Sequence, residues 1–314
     1  MADFSASDAA TTGFRIVRER PVAVLYWGAL RLVLDVSVAL LLVTLAGPAM
    51  TALQNAGASA QTDPAQSIKF FEQLAPAWLA MTPLQLIFYA IVCGAMNRAV
   101  LRPDEDRLGY LRLGADELRQ VAVLFLYSLV MVAIYMVTVL VVAILAGVLS
   151  VGLAAAAGGA GAALGFIIAF LAILAAVGFM LFVGVRLSLA PALTFDTGKV
   201  NLFGSWALTQ GRFWPILGAY FLSWILVLLM LLLSLVIIAG AAAAVSGGLA
   251  GVSAMFKPDM STVATYFTPV RIVMLVMSSF FSALFLPVSL TPPAFIYKSL
   301  TASRNTRAVE GVFA

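Results

Sequence analysis

Histidine is absent from this 314-residue chain. That excludes zinc-protease spacing, the usual Ser/His triad, and His-ligated metals or haem. A single cysteine, Cys93, sits inside an apolar run, so no disulfide can form within the chain. No glycine-rich phosphate loop ending in Lys and Ser or Thr is present. Charge is scarce as well. Charged residues make up 10% of the chain and hydrophobic ones 63%, outside the range of soluble domains. Long polar stretches are also missing. The widest gap between apolar runs covers residues 46–78, which leaves no room for a soluble domain.

What the chain does have is apolar length. A helix needs ~20 mostly apolar residues to cross ~30 Å of hydrocarbon. Runs over 22–45, 79–100, 121–149, 164–187, 214–244 and 272–297 each meet that need. Closed barrels show short alternating strands instead, so the expected fold is all-α, with six transmembrane helices. Positive charge alternates between the connections. Arg15, Arg18 and Arg20 precede the first run, and Arg98, Arg102, Arg107, Arg112 and Arg119 separate the second from the third. Arg186, Lys199 and Arg212 lie between the fourth and fifth, and Lys298, Arg304 and Arg307 follow the last. The other connections carry little beyond Lys69, Lys257 and Arg271. The positive-inside rule then predicts an inner-membrane protein with both termini cytoplasmic. The net charge of +4 follows from this topology and from contact with anionic lipid, not from nucleic acid.

Three parts are expected: a mobile polar N-terminus over 1–13, a membrane domain over 14–300, and a cytoplasmic tail over 301–314. The first run carries Arg31 and Asp35 and follows about twenty polar residues, which fits an uncleaved helix better than a signal peptide. Arg20-Pro-Val-Ala-Val-Leu-Tyr26 matches Arg119-Gln-Val-Ala-Val-Leu-Phe125, with a fainter echo in Arg212-Phe-Trp-Pro-Ile-Leu217. The spacing suggests three helical-hairpin repeats, each preceded by a cytoplasmic amphipathic helix. Chance similarity of helix starts is the competing explanation. Asp63 followed by Pro64, Ile68, Phe71 and Leu74 predicts a short amphipathic helix on the outer surface. The Ala/Gly stretch over 154–165 predicts a turn or a close-packed helix end.

Ionisable groups in hydrocarbon are costly, so they are the first candidates for function. Arg31 and Asp35 are four residues apart and share a helix face. They read either as an intramembrane ion or lipid-headgroup site or as a neutralised structural pair. Arg98, Arg186 and Lys298 occupy matching inner helix ends. They are candidate headgroup contacts, or simple positive-inside anchors. Pro191, Pro287, Pro292 and Pro293 mark kinks or broken helices of a transport path. Asp104-Glu105-Asp106 reads as charge balance for the neighbouring arginines. Trp206 and Trp214 are interfacial anchors, because the indole ring is apolar and its N–H polar. No catalytic residue, metal ligand or cofactor site is expected.

The stretch Arg186-Leu-Ser-Leu-Ala-Pro-Ala-Leu-Thr-Phe-Asp196, followed by Ser205-Trp-Ala-Leu-Thr-Gln-Gly-Arg-Phe-Trp214, resembles a bacterial family of multi-helix membrane proteins. That family includes the membrane domain accompanying some glycerophosphoryl diester phosphodiesterases, together with stand-alone relatives. The hydrolytic domain and its histidines have no counterpart here. The resemblance therefore implies a stand-alone membrane part and carries over no functional residues. The expected role is non-enzymatic: organising or accompanying a membrane or envelope process, with membrane lipids and a protein partner or second copy as company. The alternative is a transporter or lipid-handling permease with Arg31 and Asp35 as its polar site.

Overall fold

The computed structural model describes residues 4–56, 64–248 and 258–313. Every regular element among them is helical. Six stretches are long and apolar enough to cross a membrane: Pro21–Ala52, Ile68–Leu101, Arg107–Leu153, Ala163–Thr197, Phe213–Ser246 and Pro269–Ser303. They overlie the six apolar runs of the sequence, and the chain is an all-α, multi-pass membrane protein.

The first helix, α1 (Ala6–Glu19), starts where Ser5 accepts the Asp8 amide at 3.3 Å, with Asp8 in the first turn complementing the helix dipole. The mobile N-terminus expected over 1–13 is therefore corrected from residue 6 onward. Ala9, Ala10, Thr12 and Gly13 are buried along one face of α1. These small residues let α1 lie directly on the last helix. At Gly13 a Cβ would overlap the backbone of Pro287 and Val288.

Pro21 opens α2 (Pro21–Ala56), where its missing amide costs no hydrogen bond. The next helix, α3 (Pro64–Leu101), runs unbroken through Pro76 and Pro83. The separate surface helix expected near residues 63–74 is thus the first part of α3. Leu74 and Ala77 are buried against Ala46 of α2, which draws the segment into the bundle. Asp63, its expected cap, lies outside the described residues, as does Lys257.

Helix α4 (Ala115–Leu187) has 73 residues. As one straight rod it would reach ~110 Å, over three times the hydrocarbon thickness. It is instead interrupted at Ala157 and Gly158, where Gly158 adopts φ 57° and ψ −132°, a conformation open only to glycine. The two arms then run back along each other, and Val123 is buried with Val183 and Leu187. Two short helices, α5 (Ala190–Thr197) and α6 (Gly204–Leu208), lead to α7 (Phe213–Ser246). A one-turn helix, α8 (Val263–Tyr266), precedes α9 (Pro269–Phe313). Helix α9 is continuous through Pro287, Pro292 and Pro293, so these prolines do not break the helix into halves. Residues expected as a C-terminal tail continue it.

Three hairpins follow in order: α2 with α3, the two arms of α4, and α7 with α9. Their lead-ins differ. A 14-residue helix precedes the first, a four-residue turn over Arg107–Tyr110 the second, and α5 with α6 the third. Helix α9 lies at the centre, packed by α1, α2, α3 and α7. The α4 hairpin is peripheral. None of the most apolar window of its first arm and 6% of that of its second is buried, against 39% for α3.

Candidate functional site: a polar girdle and an intramembrane pair

Apolar packing alone does not hold helices together in lipid, because the tails are as apolar as the side chains. Polar ties therefore carry unusual weight, and here they concentrate at the arginine-rich end. Arg98, near the end of α3, is 1% exposed. Its Nη2 donates to Glu117 of α4 at 2.6 Å, and its Nη1 donates to the Tyr110 carbonyl at 2.5 Å. Its Nε faces Glu105 at 3.5 Å, and its guanidinium stands over the ring of Phe195 on α5. Arg102 covers the same ring at 4.7 Å. One arginine thus joins α3, α4, α5 and the intervening loop.

That loop is strained. Leu108, Gly109 and Tyr110 have φ of 50°, 65° and 65°, although only one of them is glycine. Left-handed backbone costs about 1–2 kcal/mol for each non-glycine residue. Two buried donors hold it in place. The indole of Trp27, fully buried on α2, donates to the Gly109 carbonyl at 2.7 Å, and Arg98 holds the next carbonyl.

Around this clamp the other ends of the bundle are tied in turn. Gln120 donates to the Pro191 carbonyl at 2.9 Å, joining α4 to α5. Ser205 and Thr209 donate to the Arg186 carbonyl, and Tyr220 of α7 donates to Ser188. Tyr297 of α9 donates to Asp196 at 2.7 Å, and Lys298 donates to the Val100 carbonyl at 2.8 Å. Two of the three residues in the acidic run are paired too: Asp106 with Arg20 and Glu105 with Arg112. Among the described residues no cluster of acidic side chains or cysteine suits a metal ion.

Inside the bundle, Arg31 and Asp35 form the expected pair, with Nε 3.0 Å from Oδ1. Two neighbours complete it. Ser279 of α9 donates to Asp35 Oδ2 at 2.8 Å, and the Arg31 guanidinium stands 5.4 Å above the ring of Phe88 on α3. The carboxylate therefore ties α2 to α9, while the cation rests on α3.

The expected ring of headgroup contacts separates into three different environments. Arg98 is enclosed and ion-paired, and the full burial of its guanidinium corrects its assignment as a headgroup contact. Lys298 donates to one carbonyl, that of Val100, at the end of α3. Arg186 differs from both. Its guanidinium packs against the edge-to-face pair of Phe182 and Trp206, 5.0 and 5.6 Å from their centroids, and its Nε and Nη1 are buried without a hydrogen-bond partner. Trp206 is thus partly a packing residue, whereas Trp214 is 76% exposed at the start of α7. Thr209 is fully buried, its hydroxyl bonding inward to the Ser205 carbonyl.

No protein-family model, curated protein or solved structure matches this chain. The geometry carries the interpretation. Sequence reasoning missed Trp27, Glu117, Phe195 and Ser279. A single indole, hydroxyl or phenyl ring among apolar neighbours gives no signal of its own, and Glu117 was hidden among charges that balance one another.

Proposed function

We propose that the protein is a non-enzymatic, multi-pass protein of the bacterial inner membrane, with both termini in the cytoplasm. In this reading it organises or accompanies an envelope process through contacts on its surface. One observation carries the reading: the charges of the Arg31–Asp35 and Arg98–Glu117 pairs are spent on one another and on helix ties. Asp35 is held by Arg31 and Ser279, and Glu117 is held by Arg98. Meanwhile the α4 hairpin keeps Ile144, Val148, Phe170 and Leu174 half exposed or more, an apolar flank that α4 does not bury within the chain. The arginine-rich girdle matches positive-inside orientation. The relation to membrane domains of the phosphodiesterase family belongs to the same proposal, resting on the 186–196 and 205–214 stretches.

Photo-crosslinking in native membranes tests it. A benzophenone side chain at Ile144, Val148, Phe170 or Leu174 should give discrete, position-dependent protein adducts, whether to another chain or to a second copy. The same probe on the buried Ala95 face should give none. A surface that yields only lipid adducts at all four positions would refute the scaffold role.

A lipid-handling permease is the second reading, and Arg186 favours it, since two of its buried nitrogens lack acceptors that a phosphate could supply. Lipid translocation in proteoliposomes, lost on Arg186→Gln, would establish that reading in place of the first.

A further inference from the structure

At the end of the bundle opposite the girdle, Asp259 and Arg271 line one cavity of 220 Å³ together with Thr265, Tyr266, Thr268 and Met274. Its walls are fixed. Met260 is buried against Ala39 and Val43 of α2, and its carbonyl fills the space a Cβ at Gly47 would occupy. Thr262 and Thr265 cap α8 reciprocally, each side chain accepting the other's backbone amide at 3.1 Å. This places Tyr266, which is 5% exposed, beneath the arginine. Arg271 Nη2 donates to the Tyr266 hydroxyl at 2.7 Å, and its guanidinium stands 4.8 Å from the same ring. Its Nε is buried without a hydrogen-bond partner. Asp259 accepts the Ser261 amide at 2.9 Å, and hydrogen bonds from Ser261 hold its carboxyl below the usual range, so it stays ionised. Although they share a cavity, the two charges form no ion pair among the described residues.

A fixed cation and a fixed anion that face one cavity without neutralising each other call for a ligand with both charges. The depth of the cavity narrows the choice. Arg271 and Lys298 are separated by about 27 residues of α9, or ~40 Å, the thickness of a bilayer with its headgroups. Lys298 lies in the girdle, so Arg271 sits at the opposite headgroup level. We infer that Asp259 and Arg271 bind a zwitterionic phosphate–amine group, with the phosphate on Arg271 and the ammonium on Asp259. A primary ammonium can donate hydrogen bonds to a carboxylate, whereas a trimethylated amine cannot. The same chemistry occurs in a phosphatidylethanolamine headgroup and in free phosphoethanolamine. The inference needs only the membrane location and stands apart from the scaffold role.

Native mass spectrometry of the full chain in detergent tests it, using phosphatidylethanolamine, phosphatidylcholine and phosphatidylglycerol with matched acyl chains. The expected result is about tenfold greater retention of phosphatidylethanolamine than of the other two, the size of one charge-assisted hydrogen bond. Arg271→Gln should abolish that retention, and Asp259→Asn should remove the preference for the primary amine. Tyr266→Phe keeps the packed ring and removes the hydroxyl that orients Arg271, and should weaken binding several-fold if the glutamine variant fails to fold. Competition by free phosphoethanolamine, sensitive to the same substitutions, would identify a soluble ligand; absence of competition would identify the lipid headgroup. Equal retention of the three lipids by the unmodified protein, or retention indifferent to Arg271 and Asp259, would overturn the assignment.

Discussion

Replacing Arg98 by methionine tests whether the girdle holds the bundle. The guanidinium is 2% exposed and its main partner Glu117 is 5% exposed, so the substitution strands a buried carboxylate. Breaking a buried pair from one side costs about 3–5 kcal/mol. The Tyr110 carbonyl loses its donor as well, and the left-handed turn loses one of its two clamps. Relaxation of that turn returns some of the loss, so the expected destabilisation stays near 3–5 kcal/mol. Glu117→Gln keeps the shape and an acceptor and should cost about 1.5–3 kcal/mol. Arg98→Met combined with Glu117→Leu removes both charges and should be less damaging than the sum, with a coupling of about 2 kcal/mol or more. Unfolding of the detergent-purified protein by sodium dodecyl sulfate, followed by tryptophan fluorescence, gives these quantities, since Trp27 lies beside the clamp. A cost below about 1 kcal/mol for Arg98→Met, or strict additivity in the double variant, would refute the reasoning.

Two further substitutions probe the packing around this end. Trp27→Phe removes the donor to the Gly109 carbonyl and should cost about 1–3 kcal/mol of local stability. Proteolysis between residues 102 and 114 should then accelerate about tenfold, and an unchanged rate would show that Arg98 alone holds the turn. Gly13→Ala puts a methyl group into the backbone of Pro287 and Val288, an overpacking expected to cost about 1–3 kcal/mol. In a Cys93→Ser background, a cysteine at buried Ala10 should label about tenfold faster once Gly13 is changed, whereas equal labelling would mean α1 does not depend on that approach.

The six crossings were legible because apolar length and arginine alternation are large signals read over many residues at once. An amphipathic helix ahead of the first crossing was expected too, but not that α1 reaches back to Ala6, since its packing face is written in Ala9, Ala10, Thr12 and Gly13. By composition those residues look like a loop, and only the nearness of α9 gives their smallness a purpose. The pairing of Arg31 with Asp35 followed from helical spacing. The tie of Asp35 to Ser279 did not, because the partners lie 244 residues apart and a serine in an apolar run carries no address. Arg98 shows the same limit. A cation near a helix end reads alike whether it reaches toward lipid or toward a carboxylate, and its partner, 19 residues on, comes within reach only through the strained turn. The proline-rich end of α9 was open between kink and break, and its continuity agrees with the static alternative.

The most direct measurement is native mass spectrometry of the purified protein beside its Arg31→Leu, Asp35→Leu double variant, with all copurifying chains and lipids identified. If the pair is an internal tie, removing both charges together leaves no buried ion unpaired. The account then predicts that the double variant remains folded and carries the same bound species in the same stoichiometry. A bound species present on the unmodified protein and lost from a folded double variant would contradict it, and would make Arg31 and Asp35 a ligand site within the bundle.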